Sequence, residues 1–419
     1  MGSMRPLRIL FTNNTLAGRG GTELYTRDVS WGLARRGHQV AAYASQVGEV
    51  ADEMQASGHV TVMDTLDAAP WIPDVIHAQH HLEAMTALLR FPDVPAIYVR
   101  HGYRPWQETP PLHPRIMRYF AVEEECLRQT IEVQGIPRDR AELLLNFVDT
   151  ERFRQRNVLP AAPHRAVVFS NYAREEVHLA PLREVCSRLG IALDAIGAGA
   201  GNPVQCPEAV LGDYDLVFAA GRSALEAMAV GCAVVLLCEP PGCGPMVSME
   251  NLARLRRLNF GSKSMTDPLV PERVERHVAR YNATDARQVS DFIRRDASLE
   301  TYLGRLEDIY SAALESFRHS EISPEDEARA EAAYLREQSL RIKDREDEAA
   351  TLRIAYEAAN LALEQTKSES VRLEREWRRR HDEESRSLMF RARRWLLSVP
   401  GLGAFLHRMA AAIKSKGPA

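Results

Sequence analysis

The stretch Gly221-Arg222-Ser223-Ala224-Leu225-Glu226-Ala227-Met228-Ala229-Val230-Gly231-Cys232-Ala233-Val234-Val235-Leu236-Leu237 decides the fold. Its first half sets small and apolar residues at helical spacing and closes on glycine, a common helix stop. Its second half is an unbroken apolar run, the pattern of a strand buried on both faces. Leu216-Val217-Phe218-Ala219, just upstream, is another such strand. Strand, helix and strand in this rhythm imply a parallel sheet with helices on both faces. Small residues open the helix, so its first N–H groups can receive a phosphate. Glu226 falls one turn in, where a carboxylate can accept hydrogen bonds from a ribose diol. The alternative is a solvated glutamate that favours the helix dipole.

The same rhythm runs outward in both directions. Ala166-Val167-Val168-Phe169-Ser170 is a strand, about 174–189 a helix, and Leu193 to Ile196 a strand. Nearer the start, Leu7 to Thr12 is a strand, about Thr22 to Arg36 a helix, and Val40 to Ala44 a second strand. Val75-Ile76-His77-Ala78 and Ala96-Ile97-Tyr98-Val99-Arg100 follow. The class is α/β, with two tandem Rossmann-like units expected over 4–150 and 151–320. A chain of 419 residues exceeds what one core usually organises.

Composition excludes more than it identifies. The apolar fraction of 45% and charged fraction of 26% are those of a globular protein. A formal net charge of −4 gives no global nucleic-acid footprint, so no nucleic-acid partner is expected. Cys126, Cys186, Cys206, Cys232, Cys238 and Cys243 form no C-x-x-C pair and read as reduced thiols. With no signal-peptide pattern, a cytoplasmic location is expected.

Ala17-Gly18-Arg19-Gly20-Gly21-Thr22-Glu23 joins the first strand to the first helix. Glycines there let backbone N–H groups approach an anion; the alternative is a tight turn. His77, His80 and His81 follow a strand, as does His101, and strand ends of such sheets line the ligand crevice. Glu83 is near the first three, but their spacing matches no common zinc motif. A hydrogen-bonded core histidine is the plain alternative for His101. Trp106 opens a Pro-rich loop able to shape a pocket or pack beneath itself. Asp213-Tyr214-Asp215 has the D-x-D form of a metal motif but precedes a buried strand and reads as a turn.

Three segments carry a resemblance. Leu225 to Val235 is similar to the nucleotide-binding helix and strand of family 4 glycosyltransferases. Asn146-Phe147-Val148-Asp149-Thr150-Glu151-Arg152-Phe153 resembles that family's interdomain hinge, and Gly20-Gly21-Thr22-Glu23 its first turn. Together they span about residues 7–318 in the family's order. The resemblance implies a GT-B fold with two facing Rossmann-like domains, acceptor-side first and donor-side second. It implies a nucleotide-diphosphate-sugar donor, a glycan or lipid-linked acceptor, transfer with retention, and no cofactor or essential metal. It places Gly20 and Gly21 at the donor phosphates, Glu226 at the ribose and His101 at the reacting sugar. Ser170, Asn171 and Arg174 stand where the family has its Arg and Lys after the second domain's first strand. Arg174, with Arg222, is a candidate to neutralise the leaving diphosphate, beside Gly221 and Ser223 at the helix start. Phe218 stands where the first of two paired glutamates is expected, and the following loop is shortened to Ala219–Ser223. A nucleotide-sugar epimerase of the same fold and a non-catalytic nucleotide-binding scaffold are the rival readings.

The end of the chain differs. From about 321 to 385 the sequence is rich in Glu, Arg and Ala, and Leu335, Ile342, Ala349, Tyr356 and Leu363 recur at every seventh position. A long helix is expected, with a half-polar seam suited to a coiled coil or homo-oligomer. Residues 386–419 hold seven Lys/Arg and no acid, with Leu402, Phe405, Leu406, Met409 and Ile413 on one helical face. A basic amphipathic helix suits an anionic membrane surface at the inner membrane face; packing on its own coiled coil is the alternative.

Overall fold

The computed structural model describes residues 5–238, 242–399, 401, 403–405 and 407–408. The chain divides into a compact unit reaching Tyr334 and a second beginning at Leu335. The first contains one parallel and one mainly parallel sheet, each wrapped by helices.

The first sheet is built from β1 (Arg8–Leu16), β2 (Gln39–Val47), β3 (Val60–Met63), β4 (Val75–Ala78), β5 (Ala96–Arg100), β6 (Ile116–Ala121) and β7 (Ala141–Leu143). Its order is β3-β2-β1-β4-β5-β6-β7, all parallel. The central strands have almost no exposed side chains, because helices α1 (Gly21–Arg35), α2 (Glu49–Ala56), α3 (His81–Arg90) and α4 (Glu124–Glu132) cover the sheet. The order reverses between β1 and β4, and ligands of such sheets bind outside the carboxyl ends at that point.

The second sheet comprises β8 (Arg165–Phe169), β9 (Ala192–Ile196), β10 (Leu216–Ala219), β11 (Ala233–Cys238) and β12 (Gly242–Met246), in the order β12-β11-β10-β8-β9. Strand β12 runs antiparallel to β11. Here the reversal falls between β8 and β10, so the crevice opens between Ser170-Asn171 and the start of the next helix. Phe218 lies fully buried within β10, which explains how the short loop is accommodated: the strand simply continues through that position. Helices α5 (Ala180–Arg188), α6 (Gly221–Val230), α7 (Leu252–Arg257), α8 (Pro271–Val278) and α9 (Ala283–Asp296) surround this sheet.

Helix α10 (Leu299–Arg318) crosses back to the first domain. Leu299, Tyr302, Leu303, Leu306, Tyr310 and Ala313 join the first sheet's core. Packing therefore assigns this helix to the first domain, whereas chain order groups it with the second. Tyr302 and Tyr310 close a buried polar chain with it: His77 Nδ1 lies 2.6 Å from the Tyr310 hydroxyl, and the Tyr25 hydroxyl 2.7 Å from that of Tyr302.

The expected long helix is α11 (Pro324–Ser398), 75 residues and about 110 Å long. Beyond Tyr334, Ile342, Tyr356, Leu363 and Trp377 are exposed along it. Of the terminal amphipathic face, Leu402, Leu406, Met409 and Ile413 lie outside the described residues. No helix among the described residues is long and apolar enough to cross a membrane.

Candidate functional site

Helix α6 begins directly after β10, and its first turn faces α1 of the first domain. Arg222 makes the connection. Its guanidinium donates to Asp28 of α1 and, through Nε at 3.1 Å, to Glu226 Oε1. It also lies 5.4 Å from the centre of the Phe147 ring in the hinge. Asp28 accepts in addition from Arg27 Nε at 2.8 Å, and Arg152 of the hinge approaches to 4.0 Å. Arg152 is itself held by Glu208, Nε to Oε1 at 2.9 Å. Arg27, Asp28 and Glu226 are buried.

Burial and charge act in opposition on these groups. Burial raises the Asp28 carboxyl, yet Arg222, Arg27 and Arg152 outweigh it and hold the group below its ordinary value. For Glu226 burial wins over Arg222 and Arg152, and its carboxyl is raised. Only Oε1 of Glu226 has a hydrogen bond among the described residues. Its second oxygen is available to a hydroxyl pair.

Across from α6, Ser170 and Asn171 follow β8. Asn171 is engaged in shaping the neighbouring loop: its Oδ1 accepts the Ala198 N–H (3.2 Å) and its carbonyl the Gly199 N–H (2.9 Å). The Ser170 hydroxyl accepts the Tyr172 N–H at 3.2 Å. Arg174 precedes a wide π-type turn, Glu175–Leu179, and its N–H donates to His178 Nδ1 at 3.3 Å. Gly221 and Ser223 sit half-buried at the start of α6. Gly20 and Gly21 open α1, where the Glu23 carboxylate folds back over Gly20.

On the first domain's strand ends, His101 follows β5. Its ring packs edge-on against Tyr25 with centroids 4.4 Å apart. Burial pushes the imidazole down to about 4, with His80 and Arg222 adding to the effect and Glu108 opposing it. Its Nε2 is buried with no hydrogen-bond partner among the described residues. The His101 N–H donates to Glu108 Oε2 at 2.9 Å, and Glu108 Oε1 lies 3.5 Å from His80 Nε2. His80 adopts φ 54°, a sparsely populated conformation for a non-glycine residue. The Asn14 N–H donates to His80 Nδ1 (3.0 Å), which sets the ring proton on Nε2, toward Glu108. The sequence reading did not single out Glu108 or Asp28. Nothing in the local pattern marks them, because their role comes from contacts made across the fold.

The remaining candidates have structural partners. His77 is fully buried between Tyr310 and Tyr25. His81 meets the Tyr334 hydroxyl at 2.7 Å, and Trp106 packs edge-on against it, centroids 4.6 Å apart. Asp215 accepts the N–H groups of His164 and Arg165 (2.9 and 3.2 Å) at the amino end of β10, away from the crevice. His113, Glu327 and Glu331 gather within reach of one cation. However, the Arg115 N–H donates to His113 Nδ1 at 3.2 Å, leaving Nε2 protonated and unsuited to ligate a metal.

The Glycosyltransferase Family 4 model matches residues 19–152, from the glycine-rich turn to the hinge. No curated protein is significantly similar to the chain. A glycosyltransferase from Rickettsia africae shares 13% identity and a TM-score of 0.52, over 74% of this chain and 99% of that one. HepE of Anabaena, in complex with UDP-glucose, shares 14% identity and a TM-score of 0.51, over 73% of this chain and 100% of its own. At such identities the likeness is one of fold: two facing Rossmann-like domains in the GT-B arrangement.

Proposed function

We propose that this protein is a glycosyltransferase that moves a sugar from a nucleoside-diphosphate donor to a glycan or lipid-linked acceptor in cell-surface polysaccharide synthesis. The observation that carries the reading is Glu226: a buried carboxylate in α6, one turn from a helix start at the sheet's reversal point, with one oxygen held by Arg222. That is the environment a ribose diol requires, with a cation beside it for the diphosphate. The UDP-glucose bound by HepE, which shares the fold, supports a donor of this class.

The leaving diphosphate gathers negative charge as the sugar departs. Arg222, Arg174 and the α6 N–H groups supply positive potential there, so the reaction proceeds without an essential metal. His101, kept neutral by burial, faces the reacting sugar as a hydrogen-bonding group, and we assign the outcome as retention. The second unit docks on an anionic membrane surface: Leu388, Met389, Phe390, Trp395 and Leu397 are exposed among Arg391, Arg393 and Arg394. The seam along α11 pairs with a second copy of the chain.

Calorimetry with UDP and GDP tests the donor site. Glu226→Ala is expected to weaken nucleotide binding by about 1–3 kcal/mol, and an unchanged affinity would remove Glu226 from the site. Incubation of a nucleotide sugar without acceptor, followed by NMR, separates the rival activity: appearance of an epimerised sugar would replace transfer by epimerisation.

A further inference from the structure

We propose that the cavity lined by Tyr103, Arg104, Ser262 and Lys263 binds an anionic group of the acceptor, a phosphate or a carboxylate, between the two cations. The inference rests on the transferase reading and adds the chemical class of the acceptor. The cavity has a volume of about 490 Å³, within the range of small-molecule sites. Its walls come from both domains: Tyr103 and Arg104 from the loop after β5, and Ser262, Lys263, Cys238 and Gly242 from the second. The Tyr103 and Ser262 hydroxyls meet across it at 2.9 Å.

Charge marks what the cavity prefers. Arg27, Arg152, Arg222 and Arg257, cations at the domain junction, each pair with a carboxylate. Arg104 and Lys263 have no carboxylate within ion-pair distance among the described residues, and both are exposed. Asp267 lines the same cavity but is committed to His277 at 3.1 Å and Arg273 at 3.6 Å. Glu123 lies near the rim, its Oε2 3.4 Å from where a Gly261 Cβ would stand. Burial pushes that carboxyl up to about 7, which limits it as a counter-charge. Glu125, a further carboxylate that feels Lys263, is committed to Arg128 at 2.6 Å, so an anion entering here meets two cations that no carboxylate among the described residues holds.

Position gives the anion its partner. Tyr103 and Arg104 follow His101 by two and three residues, so the cavity adjoins the group assigned to the reacting sugar. Glu226 and Arg222 lie on α6, after the neighbouring strand β10. A donor held there and an acceptor anchored between Arg104 and Lys263 can meet at His101.

The test uses the full-length chain saturated with UDP and titrated, in separate arms, with inorganic phosphate and with glucuronate. At least one anion is expected to bind, and Arg104→Ala with Lys263→Ala is expected to weaken it tenfold or more while UDP affinity shifts less than twofold. Tighter phosphate than glucuronate binding marks a phosphorylated acceptor, and the reverse an acidic sugar. The proposal is overturned if neither anion binds, if the double variant binds unchanged, or if phosphate displaces UDP one for one. Should UDP itself fail to bind, the donor reading falls instead, and the same titration without nucleotide still decides the anion site.

Discussion

Helices α1 and α6 begin alike, each just after a glycine-bearing turn at the carboxyl end of a central strand, and they use that glycine in opposite ways. At α1, Gly20 has an ordinary backbone (φ −78°), and its missing side chain makes room for the helix's own Glu23. The Glu23 Oε2 fills the place a Cβ would take, and the Thr22 hydroxyl donates to it at 2.9 Å. At α6, Gly221 takes φ 56°, with the Asn259 carbonyl 4.0 Å from where a Cβ would stand, and the first charged side chain is the cation Arg222. One start carries an anion of its own, and the other a cation held between Asp28 and Glu226. The two starts are therefore asymmetric: on the proposed reading α6 faces the diphosphate, while α1 contributes through Asp28, two turns in.

The largest expected effect is that of Arg222→Ala. The change takes from buried Glu226 its hydrogen-bonded cation and from buried Asp28 one of its cations, leaving Asp28 to Arg27. Breaking such a pair costs about 3–5 kcal/mol, and loss of the charge facing the leaving group costs on the order of 10²-fold in turnover. Urea unfolding and donor turnover measure the two separately. Arg222→Lys should restore part of the activity but less of the stability, because an ammonium cannot bridge both carboxylates in the same plane. An alanine variant as stable as its parent would break the comparison, since α1 and α6 would then not be tied by charge.

Next comes the acid sensitivity of His101. Its folded value of about 4 lies below the ordinary histidine value near 6.5. Above about pH 6.5 both states are neutral and nothing is at stake. As pH falls below that, the unfolded chain takes up a proton that the folded chain refuses, and stability declines until about pH 4. At pH 5 the loss is on the order of 1–2 kcal/mol relative to pH 7.5. His101→Gln should shrink that decline and leave the share of His113, which burial and Arg115 also push down to about 4. Unfolding midpoints compared at the two pH values give the answer; an unchanged slope would mean that His101 is solvated.

Much of this was legible in the sequence, and the physical reason is locality. The strand-helix-strand of 216–237 shows in the pattern because burial on both faces demands an unbroken apolar run. Phe218 in place of a glutamate was visible, and the structure shows it continuing β10. The long helix was visible from its composition. What the chain did not reveal are relations across the fold: α10 returning to the first core through Tyr302 and Tyr310, Asp28 reaching Arg222, and Glu108 folding under His80 and His101. Gly20 is the instructive case. A glycine before a helix is consistent with a phosphate turn, and only the position of Glu23 shows what fills the space.

The smallest effects sharpen the contrast between the two starts. Gly221→Ala places a side chain at φ 56°, which costs about 1–2 kcal/mol without any clash, and should leave nucleotide affinity within a few-fold. Glu23→Gln removes the anion from the start of α1. The helix loses a favourable dipole interaction of about 0.3–1 kcal/mol. If the diphosphate lies at α6 alone, UDP affinity changes less than twofold by calorimetry. A several-fold tightening would show that the phosphates also approach α1, against the repulsion of Glu23. Gly20 would then serve the donor and its own helix alike, and the asymmetry between the two turns would be one of degree.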